Sequence, residues 1–237
     1  MEKVLLLIPA FNPLRPIVQY VTRCLEELSP AIEHVIIVND GSDVMYDSIF
    51  AELAQIKNCT VLVHDKNKGK GRALKTGFEF IIKKQWKAEG VVTVGAHNQH
   101  SILDVEQIIK SKIIFSDGII LGVREFALGK MPLKNYVGNQ AASYLFQMLF
   151  HKRLLDIQTG LRYFPKECLF WMRNVPGETF SYDTNMLVAA LHKKIPIYEV
   201  PVGEAKLKKN SIVYYDEVVD PSKIFHQIWR NFIRKTS

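Results

Sequence analysis

The chain reads as an α/β protein, one domain built on a mostly parallel central sheet with helices on both sides. Three observations carry this expectation. Short apolar runs such as Val4-Leu5-Leu6-Leu7-Ile8 are continuous rather than alternating, as in strands covered on both faces. Segments with apolar residues at helical spacing separate these runs, the pattern of right-handed strand–helix–strand units. Polar turn residues, Asn39-Asp40-Gly41-Ser42 above all, close several of the runs.

The first strand ends at Pro9. Residues 16–28 then place Ile17, Val18, Val21, Leu25 and Leu28 on one helical face. Val35–Val38 is a second strand, stopped by the Asn39–Ser42 turn. A helix over 46–56 leads to the strand Thr60–Val63, and a helix over 71–84 leads to the strand Gly90–Val94. The second half is less regular. Gly118–Val123 is a strand ending at Arg124, and 135–149 is an apolar-rich helix. Residues 156–164 hold a loop and strand, 182–192 a helix, and Ile197–Val202 a last strand. No internal repeat and no interdomain linker is visible.

A chain of 237 residues buries a sizeable core as one domain. Apolar residues make up 48% and charged residues 23%, ordinary globular usage that argues against disorder. The formal net charge of +7 favours anionic partners: phosphates, an acidic lipid surface or nucleic acid. No RNP-like or helix-turn-helix signature supports the last, so no nucleic-acid partner is expected. Cys24, Cys59 and Cys168 show no CxxC spacing, which fits a reducing cytoplasm better than a disulfide framework or zinc site. The N-terminal apolar run is too short for a signal peptide, and no stretch has the length of a membrane span.

Ligands of such sheets sit beyond the carboxyl ends of the strands. There the loops at Asn12, Asn39-Asp40, Lys66–Arg72 and Gly95–His100 should converge on one rim. In Asn67-Lys68-Gly69-Lys70-Gly71-Arg72, glycines expose backbone N–H groups at a helix start, a setting that favours an anion. The spacing is not that of a Walker A loop, and a solvated basic turn is the plainer alternative.

Six segments in order carry a resemblance: Ile-Pro-Ala-Phe-Asn (8–12), Val-Asn-Asp-Gly-Ser (38–42), Asn67–Phe78, Leu-Gly-Val-Arg (121–124), Asp-Ile-Gln-Thr-Gly-Leu-Arg (156–162) and Tyr-Asp-Thr-Asn-Met-Leu (182–187). The chain resembles family 2 glycosyltransferases of GT-A fold, in the branch that transfers a sugar to polyprenyl phosphate. That resemblance implies an inverting hexosyltransferase using a nucleotide sugar, with UDP-hexose favoured, and a lipid phosphate or related envelope-glycan acceptor. It places nucleotide-sugar contacts at Pro9, Ala10, Asn12, Asn39, Asp40, Lys70, Gly71, Ala96 and Gln158. Catalytic roles fall on His97, Arg124, Arg162 and Asp183, the two arginines facing phosphate. Asp183 has a donor-positioning role, because an ionised phosphate acceptor needs no general base.

The chain departs from the family at its metal loop. The pattern Asp-x-Asp-x-Gln-His reads Gly95-Ala96-His97-Asn98-Gln99-His100 here. Mg2+ and Mn2+ prefer carboxylate and phosphate oxygens, so two lost acids weaken either ion. His97 and Gln99 are then the candidate metal ligands. The alternatives are a hydrogen-bonding His97, or a His97 cation that stabilises the leaving diphosphate directly. Asn39 and Asn185 also stand where the family commonly has acids. A catalytically degenerate relative acting as a binding or regulatory partner is the second reading. Residues 1–203 form the transferase domain and 204–237 an extension. Within it, 221–235 carry an apolar stripe (Ile224, Phe225, Ile228, Trp229, Phe232, Ile233) with Lys and Arg beside it. That pattern fits a helix lying on an anionic membrane, hence a cytoplasmic protein at the inner membrane face; a terminal helix packed on the core fits equally.

Overall fold

A computed structural model describes residues 3–96, 100–124 and 133–203, with only the backbone of Arg124, 133–139 and Ala142. The strands are β1 Val4–Ala10, β2 Ile32–Asn39, β3 Cys59–Val63, β4 Gly90–Thr93, β5 Ile119–Arg124, β6 Arg162–Pro165 and β7 Ile197–Val202. The helices are α1 Pro16–Glu27, α2 Asp47–Gln55, α3 Lys70–Lys84, α4 Ile102–Ser111, α5 Leu133–Phe150, α6 Leu169–Met172 and α7 Ser181–His192. The strands form one seven-stranded sheet in the order β3-β2-β1-β4-β6-β5-β7.

The continuous apolar runs have the expected cause. Side chains alternate across a strand, and both faces of β1 are covered. Leu5 and Leu7 join one core with Ala73, Leu74, Phe78 and Ile81 of α3 and Met186 and Leu187 of α7. Val4, Leu6 and Ile8 join the other with Ile17 and Val21 of α1, Phe50 and Leu53 of α2, and Val105 and Ile108 of α4. Each fully buried aliphatic side chain of this kind contributes about 1.5–3 kcal/mol.

Besides the short α6, two features differ from the sequence expectation. The first is α4, absent from it. Its start is a capping box, Asp104 N–H donating to Ser101 Oγ while Asp104 accepts from Ser101 N–H. The Ser-x-x-Asp spacing and Ile102, Val105, Ile108 and Ile109 were the available signal. The second is β6, which runs antiparallel between β4 and β5, with Thr93 opposite Arg162. This reversal brings the 156–161 turn to the carboxyl ends of β4 and β5, the rim where β1 and β2 also end.

Cys24, Cys59 and Cys168 are free. Burial pushes the Cys24 and Cys59 thiols up to about 12 and Cys168 to about 11. Among the described residues no helix is long and apolar enough to cross a membrane. The expected 221–235 helix and the 204–237 extension lie outside the described residues.

Candidate active site

At the rim the β1 and β2 loops are laced together. Asn12, at φ 47°, donates its backbone N–H to Ser42 Oγ at 2.9 Å and its Nδ2 to Asp43 Oδ2 at 2.9 Å. Its Oδ1 accepts from Asp43 N at 3.0 Å. Asn39 Oδ1 accepts from Ser42 N at 2.9 Å. The uncharged Asn39 thus closes the turn as an Asx residue does. Asp40 N donates to the carbonyl of Ala10 at 2.8 Å, tying both strand ends together beside the half-buried Pro9.

Asp40 is the hub of a second joint. Its side chain is buried and accepts from His64 Nδ1 at 2.6 Å, Lys68 N at 3.0 Å and Gly69 N at 2.8 Å. This corrects the expectation that the glycine loop offers its amides to an external anion. The Gly69 and Lys68 amides before α3 already hold an anion, the carboxylate of Asp40. The loop crosses directly over Gly41, whose φ is 69° and where a Cβ would lie 2.1 Å from the carbonyl carbon of Lys66. Gly41→Ala therefore has to push the loop off its seat. Its expected cost is about 2–4 kcal/mol, from backbone strain plus overpacking, read as a shift in the denaturation midpoint.

Lys68 pairs locally with Asp65, but Lys70, Arg72 and Lys75 meet acids from the second half of the chain. Lys70 Nζ lies 2.6 Å from Asp183 Oδ2, 113 residues along the chain, and 5.7 Å from the centre of the Phe180 ring. Arg72 pairs Glu178 through Nε at 2.7 Å and Nη2 at 3.0 Å, and Lys75 Nζ reaches Glu178 Oε1 at 2.9 Å. Gly71 lets α3 approach α7, since a Cβ there would lie 2.6 Å from Tyr182 Cβ. Burial pushes the Glu178 carboxyl up, but Lys75 and Arg72 outweigh it and hold it below its ordinary 4.5. A depressed folded value adds stability above the unfolded value and loses it as pH falls through the folded one. The melting temperature should therefore drop on acidification below about pH 5, and less so in Glu178→Gln.

Arg162 is not where the sequence reading puts it. It is 1% exposed. Nε donates to the Thr159 carbonyl at 2.8 Å, Nη2 to Ile157 at 2.8 Å and Nη1 to the Asp183 backbone carbonyl at 3.1 Å. Asp183 Oδ1 lies 3.5 Å from Nη1. The guanidinium is a strut binding the 157–162 turn to the start of α7, and its donors are spent on protein rather than turned to a phosphate. Asp183 consequently faces two cations, Lys70 and Arg162.

The turn held by Arg162 carries the half-buried Gln158, whose N–H donates to Asp156 Oδ1 at 3.2 Å. Thr93, ending β4, donates its hydroxyl to the Gly160 carbonyl at 3.0 Å. A Cβ on Gly160 would be 3.7 Å from Gly95 N, so the turn lies against the entry to the metal-position loop. Ala96 is buried there. His97 and Gln99 lie outside the described residues, and Arg124 is placed by its backbone at the end of β5.

The rim thus gathers Pro9, Ala10, Asn12, Asn39, Asp40, Lys70, Gly71, Ala96, Gln158 and Asp183. It does not form a donor set for Mg2+ or Mn2+ from described residues. Gly95 has no side-chain oxygen, and Asp40 and Asp183 are engaged by amides, imidazole and cations. No three His, Cys, Asp or Glu among the described residues are grouped to share an ion. Sequence reasoning missed His64, Lys75, Glu178 and Thr93. His64 was within reach of it, because it follows β3 as Asp40 follows β2.

Comparison with known proteins gives a consistent picture. The family model described as Glycosyl transferase family 2 matches residues 6–173. A UDP-N-acetylglucosamine–dolichyl-phosphate N-acetylglucosaminyltransferase of Methanococcus voltae is 29% identical over 218 residues, covering 83% of each chain. An uncharacterized Methanocaldococcus jannaschii protein, MJ1222, is 24% identical over 85% of this chain and 81% of its own. Among solved structures, glucosyl-3-phosphoglycerate synthase of Mycobacterium tuberculosis with Mn2+, UDP and phosphoglyceric acid superposes with a TM-score of 0.70 at 13% identity. That match covers 98% of this chain and 78% of the synthase. At that identity the likeness concerns the GT-A fold.

Proposed function

The chain belongs to glycosyl transferase family 2 and is a glycosyltransferase; from that premise we propose that it moves a sugar from a UDP-sugar to a polyprenyl phosphate of dolichyl type. The observation that carries the acceptor is the likeness to the dolichyl-phosphate N-acetylglucosaminyltransferase over most of both chains. That relative also makes UDP-N-acetylglucosamine a donor to test beside the UDP-hexoses. The +7 charge suits a reaction in which donor and acceptor are both phosphates.

In the reaction, an oxygen of the lipid phosphate attacks the anomeric carbon from the face opposite UDP. The bond from that carbon to the β-phosphate oxygen breaks, UDP leaves with the electron pair, and the configuration inverts. The attacking phosphate is already ionised near neutral pH, so no side chain has to take a proton. The laced turns at Asn12 and Asn39–Asp43 give the nucleoside a fixed polar edge. Lys70, a fifth exposed, supplies positive charge where the diphosphate leaves, with Asp183 holding its ammonium. Asp40 and Arg162 contribute by fixing the two turns between which the donor lies. A metal would add Lewis-acid stabilisation of the leaving diphosphate, but the described residues offer it no ligand set.

The test is direct. The full chain is incubated with UDP-glucose, UDP-galactose or UDP-N-acetylglucosamine and a short-chain polyprenyl phosphate in detergent, with Mg2+ and Mn2+, and lipid products are weighed by mass spectrometry. The expected result is a lipid phosphate heavier by one sugar residue. Transfer to phosphoglycerate instead, or to no phosphate acceptor, would overturn the lipid reading.

A further inference from the structure

His64 lies outside every motif that suggested the site, yet it joins three of the elements that build it. Its backbone N–H donates to the Asn39 carbonyl at 2.9 Å, binding the end of β3 to the end of β2. Its Nδ1 lies 2.6 Å from Asp40 Oδ1 and its Nε2 lies 3.0 Å from Thr76 Oγ1, on the second turn of α3. A carboxylate can only accept, so Nδ1 carries the proton toward Asp40, and Nε2 shares a hydrogen bond with the Thr76 hydroxyl. His64 is 8% exposed and Asp40 3%, so the bond between them is shielded from water. The same Asp40 carboxylate receives the Lys68 and Gly69 amides. One ring therefore sets the carboxylate that holds the loop, and also the helix the loop leads into.

We infer that His64 is a positioning residue for donor binding: through Asp40 and Thr76 it fixes the 39–43 turn and the start of α3, and with them the seat of the UDP moiety. It touches no substrate and acts by keeping two protein segments in register. The inference rests on the reading of this rim as the nucleotide-sugar site. It also makes a statement about the resting protein that does not need turnover.

The experiment compares the full chain with His64→Leu and His64→Asn. Asn keeps a short side-chain N–H toward Asp40, and Leu removes it. Two quantities are read: hydrogen exchange at the Lys68 and Gly69 amides without substrate, and KM and kcat for the UDP-sugar. His64→Leu should speed exchange at both amides at least about tenfold and raise KM about tenfold with kcat within about twofold, the size of one charge-assisted hydrogen bond. His64→Asn should recover most of both effects. If His64→Leu leaves the amides as protected as before, or lowers kcat in step with the folded fraction while KM stays put, His64 does not position the donor. If the wild type binds no UDP-sugar while the amides respond as expected, the clamp stands as a fold element and the site reading fails with the inference. If His64→Leu does not fold, His64→Asn alone decides: wild-type exchange and KM within about twofold support the clamp, and a KM unchanged beside fast exchange overturns it.

Discussion

Arg162→Met lowers the stability of the chain by about 3–5 kcal/mol, the cost of removing one partner from a buried charged network. The guanidinium satisfies the carbonyls of Ile157, Thr159 and Asp183 at once. Met fills a similar volume but donates nothing, so three carbonyls are left dry and, among the described residues, Asp183 keeps Lys70 alone as a counter-charge. Arg162→Lys fares little better, since an ammonium has no planar fork to span three acceptors. For a chain of this size the loss corresponds to a melting temperature lower by roughly 10 °C or more, measured by calorimetry at neutral pH. A drop of only a degree or two would mean that solvent reaches the strut. Because the strut also ties the Gln158 turn to α7, turnover should fall by more than the folded fraction does.

Asp40→Ala is the second large effect. It strips the acceptor from a buried imidazole and two partly buried amides. Unsatisfied buried donors each cost about 1–3 kcal/mol, and partial hydration of the loop offsets some of that. The expected net loss is about 3–4 kcal/mol, with UDP-sugar affinity falling at least about tenfold. Asp40→Asn separates shape from chemistry. Its amide keeps the volume but turns an N–H toward a group that is itself a donor, so it should lie closer to Ala than to wild type. Equal stability of Asp40→Asn and wild type would show that the carboxylate is not the anchor of the glycine loop.

Much of the fold is legible in the sequence because it rests on local patterns. The runs at Val4–Ile8 and Val35–Val38 are apolar at every position because both faces are covered. The Asn39–Ser42 turn stops β2 for a reason written in its own side chains. α4 is legible in the same way, by the Ser101–Asp104 capping box and the apolar Ile102, Val105, Ile108 and Ile109 behind it. The direction of β6 is not local information. It depends on which strands Arg162–Pro165 lies between.

The site divides along the same line. Motif order leads to the loops that meet at the rim, since each loop follows its own strand. It cannot tell which polar groups face a ligand and which face one another. Gly69, read as an anion seat, finds its anion in Asp40, 29 residues away. Arg162, read as a phosphate contact, finds three carbonyls. Lys70, Arg72 and Lys75 find Asp183 and Glu178 more than a hundred residues on. Each of these partners is set by tertiary packing, which a run of residue types does not encode.

Crystals of the full chain soaked with UDP test the nucleotide site most directly. The expected electron density has the uridine against Pro9–Asn12 and the Asn39–Ser42 turn, and the diphosphate within reach of Lys70 and Ala96, with the Asp40 bonds to His64 and Gly69 intact. UDP bound away from that rim, or bound only after the 64–69 loop has left Asp40, would contradict it.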